Sequence, residues 1–199
     1  MSNDAVNQTR RRMLIGATSV VGAVGVVGAA IPFVGSWNPS AKAKAAGAPV
    51  KYNVSKVEPG AMVTVEWRGK PVYILRHTQQ SLDSLKKVEE MHLLLDPNSD
   101  QPQQPPYAKN PERAIKKEFS VLLGICTHLG CAPLFRPDVG AADLGGEKWQ
   151  GGFFCPCHGS KYDLAGRVYT GVPAPLNLEV PPYRYESDSV IVIGEDQEA

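Results

Sequence analysis

Apolar residues follow three different rhythms along this chain. From Met13 to Val34 no side chain is charged, and Val, Gly, Ala and Ile dominate. A run of that length spans the ~30 Å hydrocarbon layer of a bilayer as a helix. Arg10, Arg11 and Arg12 precede it directly. The positive-inside rule then leaves the N-terminus cytoplasmic and the remainder of the chain outside. The expected division is residues 1–12 as a cytoplasmic N-terminus, 13–36 as a transmembrane anchor and 37–49 as a flexible tether. The tether contains Ala-Lys-Ala-Lys-Ala-Ala-Gly-Ala and no large apolar side chain after Trp37. That composition fits coil or a short Ala-rich helix equally.

From residue 50 the period shortens to two. Ala61–Trp67 alternates, Arg68-Gly69-Lys70 turns, and Pro71–Leu75 runs apolar, which predicts a hairpin. Over Ser81–Leu95 the rhythm becomes helical, with Leu82, Leu85, Val88, Met91 and Leu95 on one stripe. Ser81 is the candidate N-cap, and Asp96-Pro97-Asn98-Ser99 the stop. Gln101–Pro111 is a Pro- and Gln-rich loop. Phe119–Ile125 predicts a buried strand, and Tyr183–Ile193 a closing hairpin that turns near Ser187-Asp188. The expected fold is mainly β: an antiparallel β-sandwich head (residues 50–199) with one helix and an inserted subdomain at about 125–176, preceded by a single transmembrane helix.

With 199 residues, one globular domain plus an appendage is the natural organisation. Lys and Arg total 21 against 20 Asp and Glu, so the formal net charge is +1. That balance argues against a nucleic-acid partner.

The chemistry concentrates in two runs, Cys126-Thr127-His128-Leu129-Gly130-Cys131 and Cys155-Pro156-Cys157-His158-Gly159-Ser160. They hold all four cysteines and two of the four histidines. Thiolates and imidazoles together make a metal site. Three readings fit these residues: a tetrahedral zinc site, two disulfides, or a [2Fe–2S] cluster with Cys126 and Cys155 on one iron and His128 and His158 on the other. Zinc fingers usually group cysteines in one knuckle and histidines in the other, whereas here each run supplies one of each. Two disulfides leave the matched histidines without a role. The cluster reading uses them. Two neutral imidazoles in place of two thiolates also remove negative charge from the ligand set, so an added electron is resisted less and the potential rises. His77 and His92 lie outside both runs and read as ordinary histidines.

At CTHLGC and CPCHGSKYD, and again at Pro173-Ala174-Pro175-Leu176-Asn177-Leu178, the chain resembles the Rieske iron–sulfur subunits of bacterial ubiquinol–cytochrome c reductase. The resemblance covers nearly the whole chain. It implies one [2Fe–2S] cluster per chain with Cys126, His128, Cys155 and His158 as ligands. It implies a disulfide between Cys131 and Cys157, which an oxidising compartment would preserve. Ser160 and Tyr162 would donate hydrogen bonds to a bridging sulfide and to the Cys126 sulfur, stabilising the reduced state. Leu129, Pro173 and Pro175 would form an apolar cap on the cluster, and His128 and His158 would be the catalytic residues that meet the substrate.

The implied function is that of a translocase subunit. It accepts an electron, coupled to a proton, from ubiquinol and passes it to a c-type cytochrome haem in a respiratory or photosynthetic membrane complex. The implied partners are cytochrome b, a c-type cytochrome, ubiquinol and membrane lipid, within a dimeric complex. The implied location is the bacterial inner membrane, single-pass, with the head periplasmic. Thr9-Arg10-Arg11-Arg12-Met13-Leu14 resembles a twin-arginine export signal; a plain secretory signal cut near Ala43 or Ala45 is the alternative. Alternative functions are the Rieske subunit of another periplasmic oxidoreductase, such as arsenite oxidase, and a Rieske ferredoxin. The anchor and the second cysteine pair oppose the ferredoxin. Two departures stand out: Val172 occupies the position before Pro173 where the family often has Gly, and the segment 132–154 is longer than in short-loop members. Rich in Gly, Pro and Asp, that segment reads as a surface insertion.

Overall fold

The computed structural model describes residues 7–196, and the chain divides into two units at Ala45–Ala46. Part of the expected N-terminal segment (residues 1–6) and the last three residues of the head lie outside the described residues. In the first unit, helix α1 runs Gln8–Gly35 and buries none of its side chains. Asn7 caps it, its side chain accepting the Arg10 N–H at 3.1 Å. Val20, Val24, Val27 and Ile31 are all largely exposed. Such an all-round apolar helix needs an apolar solvent. Helix α2 (Ala41–Ala46) occupies part of the expected tether, so the Ala-rich stretch is helical here.

In the second unit the elements in chain order are β1 (Val50–Asn53), β2 (Met62–Trp67), β3 (Lys70–Arg76), α3 (Gln79–Glu90), β4 (Phe119–Leu123), β5 (Leu134–Arg136), β6 (Gly152–Phe154), β7 (Lys161–Tyr162), β8 (Tyr183–Ser187) and β9 (Val190–Ile193). They form three antiparallel three-stranded sheets, ordered β1-β9-β8, β2-β3-β4 and β5-β6-β7. The expected 61–75 hairpin is β2–β3, closed so that Trp67 faces Lys70. All five residues of β4 are buried, as its unbroken apolar run requires for a strand covered on both faces. The closing hairpin turns at Asp188-Ser189, with a bulge between Tyr185 and Ser187.

Helix α3 departs from expectation at both ends. Thr78, not Ser81, is the N-cap, and Ser81 is its reciprocal partner three residues on. The Thr78 hydroxyl accepts the Ser81 N–H, and the Ser81 hydroxyl accepts the Thr78 N–H, the two halves of a capping box. The helix stops at Glu90, and the residues beyond it are taken by an isolated antiparallel bridge between Leu94 and Tyr169. Leu95 donates its N–H to Val168 O at 2.9 Å, and Leu93 O accepts from Thr170 at 2.7 Å. Met91 and Leu95 are consequently exposed, and Leu94 is buried in their place.

The segment 132–154 also differs from expectation. Although its hairpin tip is exposed, it supplies β5 and β6 and a fully buried Trp149. Trp149 and Leu144 pack with Val88, Leu94 and Tyr169 into a second, smaller core. The main core gathers side chains of all three sheets, including Ile74, Leu122, Phe153 and Ile191. Val172 packs against both cores, which is the structural use of its side chain before Pro173.

Candidate metal centre

Sheet β5-β6-β7 presents both cysteine–histidine runs. β4 leads through Gly124 and Ile125 into the first run, which returns into β5. The second run connects β6 to β7. The two turns are built alike. Cys126 N–H donates to Cys131 O at 2.8 Å, and Gly130 N–H returns to Cys126 O at 3.0 Å. In the second turn Cys155 N–H donates to Ser160 O at 2.8 Å, and Gly159 N–H to Cys155 O at 2.9 Å. Each turn therefore needs a left-handed residue four positions after its first cysteine. Gly130 (φ 85°) and Gly159 (φ 78°) supply it without the Cβ penalty.

Cys126 and Cys155 are buried at the base, while His158 is exposed and His128 half-buried above them. The two imidazoles meet edge to face, 4.8 Å between centroids. Cys131 and Cys157 are joined as a disulfide. The sulfurs of Cys131, Cys155 and Cys157 lie within 4.8 Å of one another. Two of those three are consumed by the disulfide, so Cys155 is the thiol available in that group, with Cys126 beside it.

Burial pushes the Cys126 thiol up, but donors to its sulfur outweigh burial: the Tyr162 hydroxyl, the His128 backbone N–H, the Cys155 thiol and the Ser160 hydroxyl. The net direction is down. Cys155 goes up, chiefly through burial and also because it faces the Cys126 sulfur. Of the two sulfurs, Cys126 is thus the one whose surroundings favour the thiolate, the form in which a cysteine ligates metal. The Tyr162 phenol is pushed well above its ordinary value, first by burial, so it remains a proton donor.

Tyr162 Oη lies 3.2 Å from Cys126 Sγ and accepts the Thr127 N–H at 3.1 Å. Thr127 Oγ1 donates to Leu176 O at 2.7 Å. Ser160 Oγ accepts the Ala174 N–H at 3.1 Å, which leaves its own proton free to donate. These two bonds fasten the Pro173–Leu176 loop to both turns. Leu129, Pro173 and Pro175 are exposed on it and beside it. Thr127 was not singled out from sequence, although its place between Cys126 and His128 is the visible signal. Tyr73, whose hydroxyl donates to Pro133 O at 2.9 Å under the first turn, left no such signal.

The donor set fits an iron–sulfur centre on one further observation. His128 Nδ1 is buried and has no hydrogen-bond partner. A buried nitrogen left unpaired costs about 1–3 kcal/mol, and a metal ligated there would supply the missing partner.

Comparison with known proteins agrees. Residues 49–183 match the Rieske [2Fe-2S] domain family, and residues 1–40 match the family "Ubiquitinol-cytochrome C reductase Fe-S subunit TAT signal". The ubiquinol–cytochrome c reductase iron–sulfur subunit of Allochromatium vinosum is 55% identical over 99% of this chain and 94% of its own length. That of Blastochloris viridis is 42% identical over 97% of each. This chain belongs to the Rieske iron–sulfur subunits of ubiquinol–cytochrome c reductase. A solved chain described as "Hyperthermophilic respiratory Complex III" is 27% identical and covers 87% of this chain and 96% of its own, with a TM-score of 0.48. Family membership makes this a [2Fe–2S] electron-transfer subunit of the cytochrome bc1 complex, carried by a chain with an N-terminal apolar helix and an export-signal match.

Proposed function

We propose that Cys126 and Cys155 hold one iron of the cluster and His128 and His158 the other, and that this site takes an electron and a proton from ubiquinol and delivers the electron to a c-type haem. When bound, the cluster supplies a one-electron acceptor of raised potential, owing to its two neutral imidazole ligands. The protein supplies the rest. His158 sits on the exposed side, where the ring nitrogen not bound to metal would, in its deprotonated form, accept the hydrogen bond of a hydroquinone O–H and take its proton, becoming the neutral imidazole. Leu129, 70% exposed, gives that entrance an apolar wall, with Pro173 and Pro175 as its neighbours. Tyr162 and Ser160 favour the more negative state by donating toward sulfur. The Cys131–Cys157 bond fixes one turn against the other.

The observation that carries this reading is the pairing of two buried cysteine sulfurs with an unpartnered, buried His128 Nδ1. We further propose that residues 13–36 anchor the chain, 37–49 tether it and 50–199 form a periplasmic head whose subdomain at about 125–176 holds the cluster. Met13–Val34 is about 22 residues, roughly 33 Å of helix, a match to the bilayer core. The proposed partners are cytochrome b, a c-type cytochrome, ubiquinol and lipid in a dimeric complex.

Full-length protein purified with its membrane partners tests the assignment. Two irons and two sulfides per chain are expected. The EPR spectrum of the reduced protein should carry hyperfine coupling to two nitrogens. Stoichiometric zinc, or an iron–sulfur signal without nitrogen coupling, would falsify the ligand set. Co-purification with a molybdenum subunit instead of cytochrome b would redirect the function.

A further inference from the structure

We infer that the buried ion pair Asp163–Arg167 is a positioning device for Tyr162, and that through Glu89 it ties the potential of the site to helix α3. The inference rests on the reading that the Tyr162 hydroxyl donates to the Cys126 sulfur.

Asp163 directly follows Tyr162, and both Asp163 and Arg167 are fully buried. Asp163 Oδ1 accepts the backbone N–H groups of Ala165 at 2.9 Å and Arg167 at 2.8 Å. Its Oδ2 accepts Arg167 Nε at 2.7 Å. One carboxylate thus folds the whole turn 163–167, and the Asp163 N–H closes it onto Arg167 O at 2.9 Å. Tyr162 is the residue this turn delivers, held between Phe153 of β6 and Val168 just past the turn. The same Arg167 guanidinium reaches away from the sheet. It donates to Glu89 Oε2 at 2.9 Å and to Leu85 O at 3.1 Å, both on α3.

A fully buried ion pair is weak evidence for stability, because desolvation offsets much of its attraction. Its distinctive property is geometric: the two side chains make five hydrogen bonds of fixed direction, three within the turn and two to α3. The Tyr162–Cys126 contact depends on such fixing. Hydrogen bonds weaken steeply with distance and angle, and the phenol oxygen sits among three polar neighbours.

The sign of the effect separates positioning from simple electrostatics. Asp163→Asn and Glu89→Ala each delete a negative charge. Acting only through the field, either deletion favours an added electron and raises the midpoint potential. If the pair instead positions Tyr162, both lower it.

The test is potentiometric titration of full-length, cluster-loaded protein followed by circular dichroism. The variants are Tyr162→Phe, Asp163→Asn, Glu89→Ala and the Asp163→Asn/Tyr162→Phe double variant. Asp163→Asn is expected to cut the reduced-to-oxidised ratio at fixed ambient potential about threefold, roughly 30 mV for a one-electron couple. Glu89→Ala should move it the same way by less. The double variant should titrate with Tyr162→Phe alone, since the positioned group is already gone. A raised or unchanged potential in Asp163→Asn overturns the inference. Should that variant fail to fold around an unpaired Arg167, the half-exposed Glu89→Ala decides by the same sign. An unchanged Tyr162→Phe would instead remove the sulfur hydrogen bond itself, whatever the other variants do.

Discussion

The Tyr162 hydroxyl stands 3.2 Å from the Cys126 sulfur, and its single proton has two acceptors in reach. The second, Thr127 Oγ1, is also at 3.2 Å and has given its own proton to Leu176 O. The sulfur wins this competition as it gains negative charge, because hydrogen bonds to ionised acceptors are the stronger ones. The bond is therefore worth more in the reduced state. Tyr162→Phe should keep the cluster and lower its midpoint potential. A differential of about 1 kcal/mol corresponds to a fall on the order of 50 mV. Titration of wild type and variant under identical conditions checks it, and coincident curves would refute it.

His77 makes the head acid-sensitive. The ring is buried, with Nε2 2.7 Å from Ser120 Oγ and Nδ1 unpartnered. Burial pushes its pKa down to about 4, against a smaller upward pull from Asp163. Between about pH 6.5 and 4 the unfolded chain holds a proton that the folded chain refuses. Stability is then constant above that window and falls as pH drops through it, by up to about 3 kcal/mol. His77→Gln removes the titration. Thermal melts at several pH values should show wild type losing more than the variant on acidification from pH 7 to 4.5. Parallel losses would show that His77 does not carry the effect.

The Cys131–Cys157 bond closes a loop with a sequence separation of 26. Restricting the unfolded chain over that length is worth roughly 3–4 kcal/mol. The bond also joins the two turns that present His128 and His158. Cys131→Ser/Cys157→Ser should lower the melting temperature and accelerate iron loss at temperatures where wild type is stable. Equal iron retention over time, measured after gel filtration, would assign the clamp to some other contact.

Both turns were legible because each is local. Spacing alone put two cysteines and a histidine within each six-residue run, and the backbone bonds that close each turn span the same interval; the left-handed glycines that make those bonds possible emerged with the structure. The hairpins and β4 were legible for a similar reason, since alternation and apolar runs report a strand's own faces. The helix end was misread for a reason that no local pattern carries. Leu93–Leu95 leave the expected helix because Val168 and Thr170, some seventy-five residues later, bond to their backbone. Thr78 was missed as a cap because Ser81, three residues on, offers the same chemistry. Arg167 drew no reading from the sequence, because the groups that bury it, Asp163, Glu89 and Leu85, come together only in the fold.

The segment 132–154 was the largest misreading, and it yields the last prediction. Gly, Pro and Asp between two metal-binding runs suggest a loop laid on the surface. Yet Trp149 has no exposed surface and tilts against Tyr169, 5.9 Å between ring centroids. With Leu144 it closes the small core that backs β6, Val172 and the C-terminal end of α3. Truncating a fully buried tryptophan costs about 3–5 kcal/mol. Trp149→Ala should therefore lower the melting temperature of the head about as much as loss of the disulfide. It should also broaden the EPR lines of the reduced protein, because β6 carries the second turn. A variant that melts with wild type and keeps a sharp spectrum would return the segment to the status of a surface loop.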